Sequence, residues 1–173
     1  YAKRIRQLGE LPEHVFEVGG LGVDAISQVE LLSEDELSVS LGIDLSRYSA
    51  KFIVTFHPET LSIDSGISLL HDLLRILSSR SDDLLVFTMP NVDHGGNQVR
   101  EIVDYFVDSH SNAFAFESLG NQRFLSCLGC FDAVIGNSSS GILEAPTFGI
   151  ATINIGSRQD GRVRAESVID CGN

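Results

Sequence analysis

Five short apolar runs alternate with helical patterns along this chain, and that alternation limits the fold more than any other feature. Phe52-Ile-Val-Thr-Phe56, Leu84-Leu-Val-Phe-Thr88, Ala113-Phe-Ala-Phe116, Ala133-Val-Ile135 and Ala151-Thr-Ile-Asn-Ile155 read as strands. Between them, Ile67, Leu70, Leu73, Leu74 and Leu77 recur at i, i+3, i+4 spacing, as do Val99, Ile102, Val103, Phe106 and Val107. Each of these segments carries one apolar stripe when helical. Strands of such uniform apolarity are buried on both faces and need helices above and below. The pattern therefore predicts an α/β fold with a doubly wound, Rossmann-like parallel sheet. A chain of 173 residues, 43% hydrophobic with a mean hydropathy of +0.11, has a core for one domain, or for one domain and a piece of another.

Residues 1–26 depart from the alternation. Tyr1 to Gly9 reads as the end of a helix, Val15-Phe-Glu-Val18 as a short strand and Gly19-Gly-Leu-Gly22 as a hinge. The expected organisation is the end of an N-terminal domain plus hinge over 1–26. A Rossmann-like domain then runs over 27–173. Ser33 followed by Glu36 forms a capping box, opening a helix with an acidic, solvated face.

The net charge of −12 speaks against a nucleic-acid partner, which selects for a basic face. It does not speak against a nucleotide, because a few local dipoles and cations can hold a diphosphate. No apolar run reaches the roughly 18–20 residues of a membrane span, and no apolar stretch follows Lys3, Arg4 and Arg6, so a cytoplasmic protein without membrane association is expected. Three cysteines do not make a disulfide framework. Cys127-Leu-Gly-Cys130 stands alone in an apolar run and reads as packing in a helix rather than zinc or redox chemistry; no metal and no cofactor are expected.

The strand ending at Gly136 feeds Asn137-Ser-Ser-Ser-Gly141 and then a helical pattern through Glu144 and Pro146. The first N–H groups of a helix lack intrahelical partners and its dipole favours negative charge there, so this turn is suited to an anion. The hydroxyls of Ser138, Ser139 and Ser140 add donors, and Glu144 can accept from neutral hydroxyls, a pairing that suits phosphate beside ribose. A nucleophile elbow fails because no serine has glycine both two before and two after it, and no histidine follows His110. A Walker loop fails for want of Gly-Lys-Ser/Thr. The G-x-G-x-x-A match over 20–25 reads as a hinge turn, since no long apolar-faced helix and acidic-ended strand follow it.

His57 follows the first strand, where an open parallel sheet binds ligands. Asn91, in Met89-Pro-Asn-Val-Asp-His94, can read a base or sugar edge; Asp93 and His94 lack a third metal ligand and read as a turn. Arg158, Arg162 and Arg164 gather cationic charge after the last run, in a form suited to phosphate.

Taken together, Arg4-Ile-Arg-Gln-Leu-Gly-Glu10, Thr55-Phe-His-Pro-Glu-Thr60, Met89-Pro-Asn-Val-Asp93, Ile135-Gly-Asn-Ser-Ser-Ser-Gly141 with Glu144, and Gly156-Ser-Arg-Gln-Asp-Gly-Arg162 resemble the UDP-N-acetylglucosamine 2-epimerase family, in its order and over nearly the whole chain. The last motif resembles the hydrolysing branch, which releases N-acetylmannosamine and UDP on the way to sialic acids. The resemblance implies the C-terminal half of a GT-B fold, with 27–173 its nucleotide-binding domain cut short at the C-terminus, and a UDP-sugar ligand. It implies that Ser138 and Ser139, at the turn after Gly136, hold the diphosphate and that Glu144 holds the ribose. His57 and Arg158 then stand on the leaving-group side, and Asn91 and the backbone around Leu119 border the uracil. The family's acid/base carboxylates belong to the N-terminal domain, so this chain alone is expected to bind UDP weakly without turnover. A homo-oligomer, dimer or tetramer, is implied for the full-length enzyme. A GT-B glycosyltransferase, a non-hydrolysing 2-epimerase and a non-catalytic nucleotide-binding module remain the alternatives.

Overall fold

The computed structural model describes residues 1–59, 66–90 and 95–172. Its centre is a six-stranded, all-parallel sheet in the order β3-β2-β1-β4-β5-β6, formed by β1 (Lys51–Thr55), β2 (Leu84–Thr88), β3 (Ala113–Phe116), β4 (Ala133–Gly136), β5 (Ala151–Asn154) and β6 (Val168–Asp170). The chain winds outward from β1 through α4 (Ile67–Leu77) and α5 (Gly96–Ser109) to β3. It then returns through α6 (Gly120–Cys130) to β4 on the other side of β1, and winds outward again past α7 (Ser139–Leu143). The strand order thus reverses between β1 and β4, which pair in register from Phe52↔Ala133 to Thr55↔Gly136. In such sheets the loops diverge at the reversal and leave a crevice beyond the strand ends.

Alternate residues of the central strands serve two separate cores. Ile53, Val86 and Val134 pack with Leu37, Leu125 and Leu128, beneath α3 (Glu34–Leu41) and α6. Val54, Phe87 and Ile135 pack with Leu70, Val99 and Phe106 beneath α4 and α5. Both faces are covered, so the uniform apolarity of these runs is what their positions require. The capping box at Ser33 forms as expected, with the Glu36 N–H donating to the Ser33 hydroxyl and the Ser33 N–H to the Glu36 carboxylate.

Two expectations are corrected. Residues 15–18 are not a strand: among the described residues no strand pairs with them, and Phe16 and Val18 are exposed. The segment before α3 instead holds α1 (Ala2–Gln7) and α2 (Leu21–Ile26), with Ile26 its first core residue. The sheet also has a sixth, edge strand, β6, which is three residues long and ends in Asp170, too short for an apolar run to mark it. The helix after β4 opens at Ser139 rather than Gly141, capped by Ser138. The match over 20–25 falls on the six-residue α2 with no strand before it, which is not the element a dinucleotide site needs.

Candidate functional site

The site forms where three loops leave the carboxyl ends of β1, β4 and β5. Gly136 ends β4 at φ +127°, where a Cβ would lie 1.9 Å from the Thr55 carbonyl oxygen. Only glycine lets the two chains approach so closely at the point where they separate. Asn137 follows, wholly buried, and its N–H donates to the same Thr55 oxygen at 3.1 Å.

Asn137 connects all three loops. Its carboxamide oxygen accepts the His57 N–H at 2.7 Å and its amide donates to the His57 carbonyl at 2.8 Å. Its own carbonyl accepts from Arg158 Nη1 at 3.1 Å and from the buried Gln159 Nε2 at 2.7 Å. A buried amide this fully satisfied is rigid. His57, the serine turn and Arg158 are therefore held to a common frame.

Ser138 caps α7, its hydroxyl oxygen accepting the Ser140 N–H at 3.3 Å. A capping hydroxyl uses its lone pair inward and keeps its proton to donate elsewhere. Ser138, Ser139 and Ser140 are half-buried, and α7 ends after five residues at Glu144, also half-buried. Ser139, Ser140 and Glu144 line one side of a cavity of about 170 Å³ whose other side is the start of α2, at Gly20 and Gly22. A larger, mostly apolar cavity of about 450 Å³ lies between α4 and α5, among Leu74, Ile102 and Phe106, away from His57, the serine turn and Arg158. The smaller one has two serines and a carboxylate in its wall.

In the β5 loop, burial and the neighbouring Arg162 push the Arg158 guanidinium below its ordinary pKa, and Glu59 acts in the opposite direction. Arg164 turns away from the expected cationic group: it pairs with Asp160 at 3.2 Å and Asp170 at 3.0 Å. Arg4 of α1 reaches over the same loop, with both terminal nitrogens 3.3 Å from the Gly161 carbonyl. Glu59, two residues past His57 and buried, accepts from the Ser157 N–H at 3.0 Å and the Arg158 N–H at 3.3 Å.

A sequence model of one family, described as UDP-N-acetylglucosamine 2-epimerase, matches residues 1–173. The chain belongs to the UDP-N-acetylglucosamine 2-epimerase family. The "Polysialic acid biosynthesis protein P7" of Escherichia coli is 39% identical over 171 residues, covering 98% of this chain and 43% of that protein. The "GDP/UDP-N,N'-diacetylbacillosamine 2-epimerase (hydrolyzing)" of Campylobacter jejuni is 37% identical over 171 residues, 98% of this chain and 44% of its own length. Among solved structures, an S. aureus MnaA–UDP co-structure superposes with a TM-score of 0.65 at 17% identity, covering 88% of this chain and 40% of the other. The UDP-GlcNAc 2-epimerase of Methanocaldococcus jannaschii gives 0.64 at 17%, covering 99% and 48%. The fold is the C-terminal, doubly wound half of a GT-B fold. The chain spans a little under half the length of these two curated relatives.

The fold of this epimerase-family chain brings His57, Gly136, Ser138 and Arg158 to the reversal point, with Ser139 and Glu144 following on α7. Leu119 lies farther along the same sheet edge, after β3; its side chain is buried in the core and its carbonyl accepts from Arg123 Nε at 2.8 Å. Asn91 lies outside the described residues. Among the described residues no group of His, Cys, Asp and Glu is arranged to hold a metal ion. Cys127 is buried in α6 and burial pushes its thiol up to about 12, the behaviour of a packed rather than a reactive cysteine. No described helix is long and apolar enough to cross a membrane.

Asn137, Gln159 and Glu59 were not expected in the site. Asn137 is marked in the sequence only as a polar residue in a turn. Glu59 adjoins His57, but nothing local signals that it reaches a loop 98 residues away.

Proposed function

We propose that this chain is the UDP-binding, leaving-group half of a hydrolysing UDP-sugar 2-epimerase. The observation that carries the proposal is the Asn137 frame, which fixes a histidine, a hydroxyl-capped turn and an arginine around one crevice in a chain of this family. In the reaction, the sugar C1–O bond breaks and UDP departs with the bonding electrons as C2 loses a proton, leaving a glycal; water then adds to the glycal and releases N-acetylmannosamine or its diacetamido counterpart. Charge grows on the diphosphate as the bond breaks. Donors aimed at that position lower the barrier because they are already oriented before the charge appears. Arg158, the hydroxyls of Ser138 and Ser139, and His57 supply them, while Glu144 accepts from the ribose hydroxyls. Gly136 lets the turn approach the phosphates closely, and Asn91 and the Leu119 main chain border the uracil.

The carboxylates that take the C2 proton belong, by family resemblance, to a domain outside this sequence, so the 173-residue chain binds UDP without turning substrate over. In the complete enzyme two or four copies assemble in the cytoplasm. Support for UDP comes from the S. aureus co-structure and for hydrolysis from the C. jejuni relative. Calorimetric titration with UDP is the test: saturable binding is expected, and none at millimolar UDP sinks the reading. UDP release from UDP-N-acetylglucosamine by the 173-residue chain alone would overturn its division of labour.

A further inference from the structure

We propose that Glu59 is a positioning residue for Arg158, an internal carboxylate that fills the anion-binding main chain of the β5 loop and thereby decides where the guanidinium points. The inference rests on the nucleotide-site reading above. Gly156 adopts φ +76°, and the next two N–H groups, of Ser157 and Arg158, converge on Glu59 Oε1 at 3.0 and 3.3 Å. The Ser157 hydroxyl donates to Oε2 at 3.3 Å. Successive N–H groups after a left-handed residue form a concavity that binds phosphate in many proteins. Here the chain's own carboxylate occupies it. A Cβ on Gly156 would stand 2.1 Å from Glu59 Oε1, so the glycine is required for the carboxylate to enter as well as for the turn.

It follows that the β5 loop cannot offer these N–H groups to a diphosphate, and that its contribution passes through the Arg158 side chain. That side chain is set by two fixed points, the main-chain N–H on Glu59 and the guanidinium on the Asn137 carbonyl. Glu59 is 5% exposed, and a buried carboxylate is tolerated only with such charge-assisted donors. Replacing it with glutamine keeps the shape but removes the charge: the carboxamide oxygen accepts the Ser157 and Arg158 N–H groups only as a neutral acceptor, its amide turned to the Ser157 hydroxyl, so the charge-assisted contacts that hold the loop weaken. Arg158 is then held firmly at one point only.

The test compares UDP with uridine by calorimetry in the wild-type protein, Glu59→Gln, Arg158→Ala and the double variant. A charged hydrogen bond lost from the diphosphate lowers the preference for UDP over uridine about tenfold or more. The expected result is that Glu59→Gln loses this preference to the level of Arg158→Ala while uridine binding stays within about twofold, and that the double variant is no worse than Arg158→Ala. A retained preference in Glu59→Gln, or additive losses in the double variant, overturns the proposal. Should the wild-type protein show no preference for UDP, the nucleotide reading fails on its own. The positioning claim is then decided by the side-chain N–H resonances of Arg158: a distinct set that collapses in Glu59→Gln upholds it, and an unchanged set overturns it.

Discussion

The Asn137 side chain holds the main chain of His57 from both directions, accepting its N–H at 2.7 Å and donating to its carbonyl at 2.8 Å. The pair imitates one further rung of the β1–β4 ladder just beyond the last strand residues, where the two strands would otherwise part. A histidine on a free loop would sample many orientations, whereas here its backbone is fixed before any ligand arrives. Asn137→Ala removes two hydrogen bonds to the half-buried His57 main chain, each worth about 0.5–1.5 kcal/mol. Urea denaturation should report that loss, and UDP affinity should fall in the same variant. Asn137→Asp keeps the acceptor for the His57 N–H but sets a carboxylate against the His57 carbonyl, and is expected to be at least as damaging.

Gly136→Ala is predicted to be among the most destabilising single substitutions in the chain. The new methyl group would lie 1.9 Å from the Thr55 oxygen, at φ +127°. Relieving the clash means separating β1 from β4 at the reversal point, so a loss of more than about 3 kcal/mol is expected. A denaturation midpoint close to that of the wild-type protein would show that the strand ends separate easily and that the frame is not rigid.

Much of the fold was legible because the central strands lie between two helical layers and have no solvent face on which polar residues could interrupt the pattern. Ile53 and Val54 are both wholly buried, on opposite sides of the sheet. The edge did not read so easily: β6 carries one half-buried and two exposed residues, and an edge strand needs no apolar run. In the site, residues displayed at the crevice, such as His57 and Ser138, could be inferred from their place after a strand. Those that hold them could not. Asn137, Glu59 and Gln159 act through hydrogen bonds spanning 80, 98 and 22 residues, and such contacts follow from topology rather than from local spacing.

Cysteine reactivity offers an independent check on the packing of α6. Cys171 is exposed, Cys130 half-buried and Cys127 buried, so a thiol reagent should label them in that order, with Cys127 reacting only on unfolding. Burial raises the Cys127 thiol from 9.0 to about 12, which means that the fold favours its neutral form. The associated stability is fully present below pH 9 and is lost as pH rises toward 12. Comparing the alkaline limb of stability between the wild-type protein and Cys127→Ala should show a shallower fall in the variant; parallel limbs would mean that the thiol is not desolvated.

Ser138 separates capping from ligand binding. Its oxygen caps α7 through the Ser140 N–H, and only its proton remains for an anion. Ser138→Ala removes both functions and should lower stability by about 1 kcal/mol together with UDP affinity. Ser138→Asp retains the cap and places negative charge at the favoured end of the helix dipole, so stability should hold or rise. The same carboxylate would face the diphosphate without a proton to donate, and like charges at such a site repel strongly when partly shielded from water. UDP binding is therefore expected to fall by about tenfold or more while the melting temperature is maintained. Unimpaired UDP binding by Ser138→Asp would place the diphosphate away from this turn.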